Sequence, residues 1–398
     1  MESLHENLQY HGDQASRKAR VDFAVNVASP TPAWLIDALT PTLNAYPDRA
    51  VYARLREKLA ALHGVAPESV ALLNGASEGF SLLPALVPQA TVTMVHPSFT
   101  EPEAILRAAP GTTLNQVIVP IDTPYEDSDT ADRIFSGDMT IFGNPTNPTG
   151  ILHDTRALHA VYEEKRKAGE FSGVVVVDEA FMDVADHDSC HNPVSDTHND
   201  TAGDSVDGAA AAPCCGHVFK PAEETASWIP MAAQADSNTI VMRSLTKTFG
   251  IPGLRLGYAI GDPALIARME GIRPAWPLGT MNLQALEAIL TQCEDNPDIF
   301  CSYARTIASQ REYLSSQLRA IGWVPKKSNS PYIITNISKA DVVDYLQSRR
   351  ISVRRCDTFP GLDKYHLRLA VRDKEAVDEL ILEIKTHVGL GTCSVAQW

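Results

Sequence analysis

Residues 243–259 read "RSLTKTFGIPGLRLGYA", with Lys247 set among small, hydroxylated and apolar residues and Arg255 eight positions behind it. The run just before it, "NTIVMRS" (238–244), is almost continuously apolar, the pattern of a strand buried on both faces, so the lysine follows a strand end. An amine there is either a solvated side chain or one placed for chemistry. Runs of the same kind recur upstream: "ATVTMVHP" (90–97), "DMTIFGNP" (138–145) and "GVVVVDEA" (173–180). Helical stretches separate them, among them "TRALHAVYEEKRKAG" (155–169), and "AVYARLREKLAALHGV" (50–65) spaces Leu55, Leu59 and Leu62 along one helix face and stops at Gly64. Buried strands alternating with helices predict an α/β chain whose mainly parallel sheet has helices on both faces. Ligands of such sheets sit at the carboxyl ends of the strands. That rule singles out Asn74-Gly75-Ala76-Ser77, the turn from Asn144 to Asn147, Asp178, and Ser244 to Lys247.

After about residue 270 the pattern changes to a long helical region, then "PYIITNIS" (331–338), "ISVRRC" (351–356) and "YHLRLAV" (365–371) between two more helices, which reads as a smaller α+β unit. The expected division is an N-terminal segment, 1–44, packing with the small domain; a large domain, 45–270; and an interdomain helix with the small domain, 271–398. A chain of 398 residues suffices for two cores. Its formal net charge of -15 argues against nucleic acid or an anionic membrane surface as the main partner, since both demand clustered cations. No apolar run approaches the roughly 18 residues of a membrane span, and the first residues lack the apolar core of a secretory signal. A cytoplasmic protein is expected, and its seven cysteines read as reduced thiols. Residues 184–236 do not fit the strand and helix rhythm. Asp186, Asp188, Asp196, Asp200, Asp204 and Asp207 have no Lys or Arg among them, which reads as a solvated, loosely ordered insertion. Its Cys190, His191, His198, Cys214, Cys215 and His217 match no standard zinc spacing, so no metal is expected.

Each strand-end feature alone has an ordinary explanation. Asp178 reads equally as a helix cap, Lys247 as a surface lysine, "NPTNPTG" (144–150) as a turn, and Gly75-Ala76-Ser77 as a helix start that suits any anion. In this order and at these intervals they match what pyridoxal phosphate requires: a Schiff-base amine, a carboxylate for the pyridine nitrogen, a donor to the ring hydroxyl and a phosphate site.

On these residues the chain resembles the fold-type I pyridoxal-phosphate enzymes of the class I/II aminotransferase group. The resemblance runs over nearly all of the sequence apart from the insertion. It implies a seven-stranded, mainly parallel sheet in the large domain and a smaller α+β domain. It implies that Lys247 in "SLTK" holds the cofactor and later moves protons, and that Asp178 in "DEAF" keeps the pyridine nitrogen protonated. By the same resemblance Asn147 donates to the ring hydroxyl and Phe99 in "HPSF" stacks on the ring. Gly75, Ala76, Ser77, Ser244, Thr246 and Arg255 hold the phosphate, and Tyr46 in "AYPD" reaches it from the other subunit of a homodimer. Arg368 in "HLRLAV" takes the substrate α-carboxylate, for which a guanidinium fork is suited. Phe181 departs from the pattern, because aminotransferases of the histidinol-phosphate type have tyrosine there, bonded to the ring oxygen.

"VDFAVNVASPTP" (21–32), "DEAF", "IRPAWPLGTMNLQA" (272–285) and "VRRCDTFPGLDKYHLRLAV" (353–371) are similar to the threonine-phosphate decarboxylases of the cobalamin pathway. That branch implies decarboxylation of L-threonine O-3-phosphate to aminopropanol phosphate. The alternatives are an aminotransferase of the histidinol-phosphate type and a non-catalytic cofactor-binding regulator, the last disfavoured by the lack of any basic or helix-turn-helix segment. The expected partner is a phosphorylated amino acid. Asn26, His11 and an arginine, Arg354 or Arg20, are the candidates for its phosphate, with a solvated strand end as the ordinary reading of Arg354 and Arg355.

Overall fold

The computed structural model describes residues 8, 10, 12–27, 29–41, 43–185 and 226–389. Most of the acidic insertion, 186–225, and His11 lie outside the described residues, so the readings of both stand as expectations. In chain order the strands are β1 (Val21–Asp22), β2 (Val70–Leu73), β3 (Thr91–His96), β4 (Thr113–Ile118), β5 (Met139–Gly143), β6 (Val174–Asp178), β7 (Thr239–Ser244), β8 (Gly257–Gly261), β9 (Val324–Pro325), β10 (Tyr332–Asn336), β11 (Ile351–Ser352), β12 (Arg354–Arg355) and β13 (His366–Ala370).

Strands β2 to β8 make one seven-stranded sheet in the order β2-β8-β7-β6-β5-β3-β4. From β4 to β7 all neighbours are parallel, and β8 runs antiparallel to both β7 and β2. The mainly parallel sheet expected from the sequence is therefore present. Both faces of β6 are covered: Val175 and Val177 pack with Leu158, Tyr162 and Trp228, while Val176 packs on the other side with Ile240 and Met242. Burying each such side chain contributes about 1.5–3 kcal/mol, which is why the run is apolar on both periods. In register, Gly143 stands opposite Asp178 and Asp178 opposite Met242. The central strands thus end together, and the turns that leave them converge on one place.

The second sheet is antiparallel throughout, in the order β12-β13-β10-β9. Its core joins Ile333, Leu367 and Leu369 to Leu314 and Leu318 of helix Ile299–Ala320 and to Leu380 and Ile384 of helix Lys374–Val388. The N-terminal segment reaches this region: β1 pairs in parallel with β11, and Phe23 is buried in the same core. Among the described residues no helix is long and apolar enough to cross a membrane. Cys293 and Cys356 are buried free thiols.

Candidate active site

The carboxyl ends of the central strands open into a cavity of about 460 Å³. At one end lies a cup of hydrogen-bond donors. Gly75 follows β2 with φ +77° and starts helix Ala76–Leu86. A side chain there would bring its Cβ to 2.7 Å from Arg255 Nη2, so only glycine lets the guanidinium lie over the helix start. At the end of β7, the hydroxyls of Ser244 and Thr246 lie 2.7 Å apart. Arg255, itself at φ +51°, donates from Nη1 to the Pro252 carbonyl at 3.3 Å and from Nη2 to Ser77 Oγ at 3.5 Å. These are long bonds with no carboxylate among them. Amides at a helix start, the hydroxyls of Ser244 and Thr246 and a guanidinium with no ion pair among the described residues form a donor set suited to a phosphate.

Past the cup, Asp178 ends β6 and accepts the Ala180 amide at 3.1 Å. Burial pushes its carboxyl up to about 6, against the pull of that amide and of Lys247. Lys247, in the short helix Leu245–Thr248, is lowered to about 8 by burial, with Arg368 and Arg255 adding repulsion and Asp178 and Glu101 opposing. Near neutral pH the amine is thus far closer to its nucleophilic form than a surface lysine. Asn147 lies in the "NPTNPTG" turn, and its Oδ1 accepts Arg368 Nη1 at 2.7 Å. Since a guanidinium only donates, that bond fixes the amide and keeps Nδ2 as a donor for a ligand. Phe99 and Phe181 line the same cavity. Phe181 lies edge-on to Tyr332 with ring centres 5.0 Å apart, and the Tyr332 hydroxyl donates to the Thr146 carbonyl at 3.1 Å rather than into the cavity.

The far end is cationic. Arg368 is 4% exposed and donates from Nη2 to the Ala24 carbonyl at 2.5 Å, while its buried Nε has no partner. Burial and the nearby Arg354 lower it to about 9. Arg354, 2% exposed, donates to the carbonyls of Arg355 and Tyr10 at 2.6 and 2.8 Å. Its guanidinium lies 4.7 Å from the Tyr10 ring and 4.5 Å from the Phe359 ring. The reading of Arg354 as a solvated strand end is therefore corrected, whereas Arg355 is exposed and pairs with Asp357. Arg20 is not brought to the cavity: it pairs with Glu379 on the surface. Asn26 lines the cavity, and its buried Oδ1 has no partner. Tyr46 does not line it. It is 77% exposed and stacks on Trp276 at 4.5 Å, with Arg49 beside the same ring. Three residues that the sequence did not single out also matter here. Glu101 and Phe359 line the cavity, and Arg372 holds the segment carrying Asn26 by donating to the carbonyls of Asp22, Val25 and Val27. The only local signal was an acid two positions after Phe99; the other two contacts join distant segments.

This geometry agrees with what is known of similar chains. Residues 22–384 match the family described as aminotransferase class I and II. The chain belongs to that family. Its members depend on pyridoxal phosphate, and this family member is an enzyme of that kind. A histidinol-phosphate aminotransferase of Mycobacterium tuberculosis is 35% identical over 384 residues, covering 92% of this chain and 87% of the relative. A threonine-phosphate decarboxylase of Salmonella typhimurium is 25% identical over 365 residues, covering 88% of this chain and 85% of the relative. The fold is that of the histidinol-phosphate aminotransferase from Sinorhizobium meliloti, solved in complex with pyridoxal-5'-phosphate, at a TM-score of 0.72 and 18% identity over 98% of this chain and 95% of that one. The cavity fits the cofactor by its own chemistry. The glycine cradle under Arg255 suits a phosphate, and the depressed amine of Lys247 and the buried acid of Asp178 are the groups that an aldehyde and a basic ring nitrogen need.

Proposed function

We propose that this enzyme acts on the amino group of a small phosphorylated substrate, as an aminotransferase of the histidinol-phosphate type. The observation that carries the reading is the pair Arg354 and Arg368, both buried and, among the described residues, neither hydrogen-bonded to a carboxylate, at the end of the cavity away from the phosphate cup. Two buried cations without acids are costly unless a ligand brings the negative charge. A phosphorylated amine alternating with an α-keto or amino acid brings such charge in both half-reactions. The named relative at 35% identity favours amino transfer over the decarboxylation that the sequence motifs favoured. Decarboxylation of L-threonine O-3-phosphate is the second reading, supported by Phe181, which lacks the hydroxyl aminotransferases of this type offer the ring oxygen, and by the relative at 25%.

Pyridoxal phosphate, when bound, supplies an aldehyde for the amine and an electron sink for the bond broken at Cα. The chain's residues supply the rest. Amides at Gly75 to Ser77, the hydroxyls of Ser244 and Thr246 and the Arg255 guanidinium hold the phosphate. Phe99 would pack on the ring face, Asp178 would hold a proton at the ring nitrogen, and Asn147 Nδ2 would donate to the ring hydroxyl. Lys247 Nζ would take the proton from the substrate Cα and pass it to the cofactor carbon, the shift that amino transfer requires. Arg368 holds the carboxylate and Arg354, with Asn26, the substrate phosphate. Together they would orient the bonds at the substrate Cα, and that choice separates transfer from decarboxylation. The exposed Tyr46, Trp276 and Arg49 support a homodimer in which Tyr46 serves the partner's cup. Incubation with histidinol phosphate plus 2-oxoglutarate, and separately with L-threonine O-3-phosphate, tests the reading. Glutamate without carbon dioxide supports transfer; carbon dioxide and aminopropanol phosphate support the second reading; neither product rejects both.

A further inference from the structure

Glu101 brings a carboxylate to the phosphate cup. It is the first residue of helix Glu101–Ala108, it lines the cavity with Ser77 and Arg255, and its Oε2 accepts the Ser77 hydroxyl at 2.9 Å. Its neighbour Glu103 is fully committed elsewhere, to His96 and Arg107, but Glu101 has no ion pair among the described residues. The charged groups that act on the same space are Lys247 and Arg255, which are cationic, and Asp178, which is acidic.

A serine hydroxyl carries one hydrogen. With that hydrogen on Glu101, Ser77 Oγ presents only lone pairs to the cup, and Arg255 Nη2 approaches the same oxygen at 3.5 Å. An ionised phosphate oxygen is likewise an acceptor, so Ser77 Oγ and the phosphate cannot bond, and a like charge stands one hydroxyl away. We propose that Glu101 is a positioning residue that weakens the grip of the cup on the cofactor phosphate, by keeping the Ser77 hydrogen for itself, and so sets how readily the cofactor is exchanged. The serine that the family resemblance places among the phosphate donors contributes only its backbone amide while Glu101 accepts its hydroxyl hydrogen.

Glutamine at position 101 reverses the hydrogen-bond chain, because its Nε2 donates to Ser77 Oγ and leaves the Ser77 hydrogen for the phosphate. Titrating the cofactor-free protein with pyridoxal phosphate, and in parallel with pyridoxal, tests the proposal without reference to turnover. Glu101→Gln is expected to bind pyridoxal phosphate at least tenfold more tightly at pH 8 and to bind pyridoxal as the wild type does. Unchanged or weaker pyridoxal-phosphate binding by a folded Glu101→Gln protein overturns it. Ser77→Ala gives an independent arm: in the wild-type background it should change the affinity less than threefold, and in the Glu101→Gln background it should cost about tenfold. A loss of tenfold or more from Ser77→Ala alone overturns the proposal even if Glu101→Gln does not fold. The inference rests on the cofactor reading of the cavity, which fails separately if the wild-type chain binds neither compound.

Discussion

Gly75→Ala probes the cup at its tightest point. Gly75 sits at φ +77°, ψ 156°, a region that residues with a side chain scarcely enter, at a cost of about 1–3 kcal/mol. The added Cβ would lie 2.7 Å from Arg255 Nη2 and 3.1 Å from its Cζ, so the guanidinium must move off the helix start. A charge-assisted hydrogen bond contributes about 1.5–3 kcal/mol, and its loss to a ligand phosphate corresponds to roughly a 10- to 150-fold weaker complex. Two separable effects are therefore expected. The cofactor-free variant should lose about 1–3 kcal/mol in chemical denaturation. Its affinity for pyridoxal phosphate, followed by absorbance titration, should fall by one to two orders of magnitude, while its affinity for pyridoxal changes little. Arg255→Gln in the wild-type background should reproduce the affinity loss without the stability loss. Equal pyridoxal-phosphate affinity in Gly75→Ala and wild type would refute the argument, since it would mean that Arg255 does not act from where the glycine lets it lie.

Lys247→Ala should abolish the near-visible absorbance band of the covalently held cofactor, and a retained band rejects Lys247 as its anchor. Asp178→Asn should leave the cofactor bound but slow turnover by about a hundredfold or more, since a preorganised charge is lost from the ring nitrogen; stopped-flow single-turnover kinetics measure this. Arg354→Gln should raise KM for a phosphorylated substrate about 10- to 100-fold and leave a non-phosphorylated amino acid nearly unaffected, so equal losses for both place the phosphate elsewhere. Lys247 also predicts a pH dependence of stability. It is held near 8 in the fold against 10.5 outside it, so between those values the unfolded chain binds more protons and stability rises with pH. The burden of the buried cation, roughly 3 kcal/mol at neutral pH, is relieved across that window. Cofactor-free Lys247→Met should lack the rise when denatured at pH 7.5 and pH 10.

What the sequence made legible was local. The four-valine run of β6 and the apolar β7 declared themselves as buried parallel strands, and Asp178 and Lys247 were visible because each follows such a strand within three residues. The antiparallel setting of β8 was not legible, because a buried strand has the same composition in either direction. Nor could sequence choose among the arginines. Arg20 and Arg354 looked alike as candidates for a substrate phosphate, and only tertiary placement separates a surface pair with Glu379 from a guanidinium enclosed by Tyr10 and Phe359. The contact between Ser77 and Glu101 joins the starts of two helices, and the hold of Arg372 on the N-terminal segment spans some 350 positions. Neither leaves a periodic or spacing signal in the chain.

The buried arginines show how the fold distinguishes structure from binding. Arg243 is as deeply buried as any residue in the protein, yet its Nε donates to Glu179 at 2.9 Å, its Nη1 pairs with Asp183, and its Nη2 donates to Ser227 at 2.9 Å. Its charge is neutralised by two carboxylates, its pKa is raised, and it ties the end of β7 to the turn after β6, next to Asp178. Arg354 and Arg368 are enclosed to almost the same degree but donate to carbonyls and one amide oxygen, and their pKa values are lowered. Arg243 would lose by any new anion, which would have to displace an acid already in place. Arg354 and Arg368 are the opposite case: folding has covered the desolvation cost of both cations, and the Coulombic return comes only with an anionic ligand. On the proposed reading the same chemical group thus serves as a rivet where carboxylates bond to it and as a receptor where, among the described residues, none does.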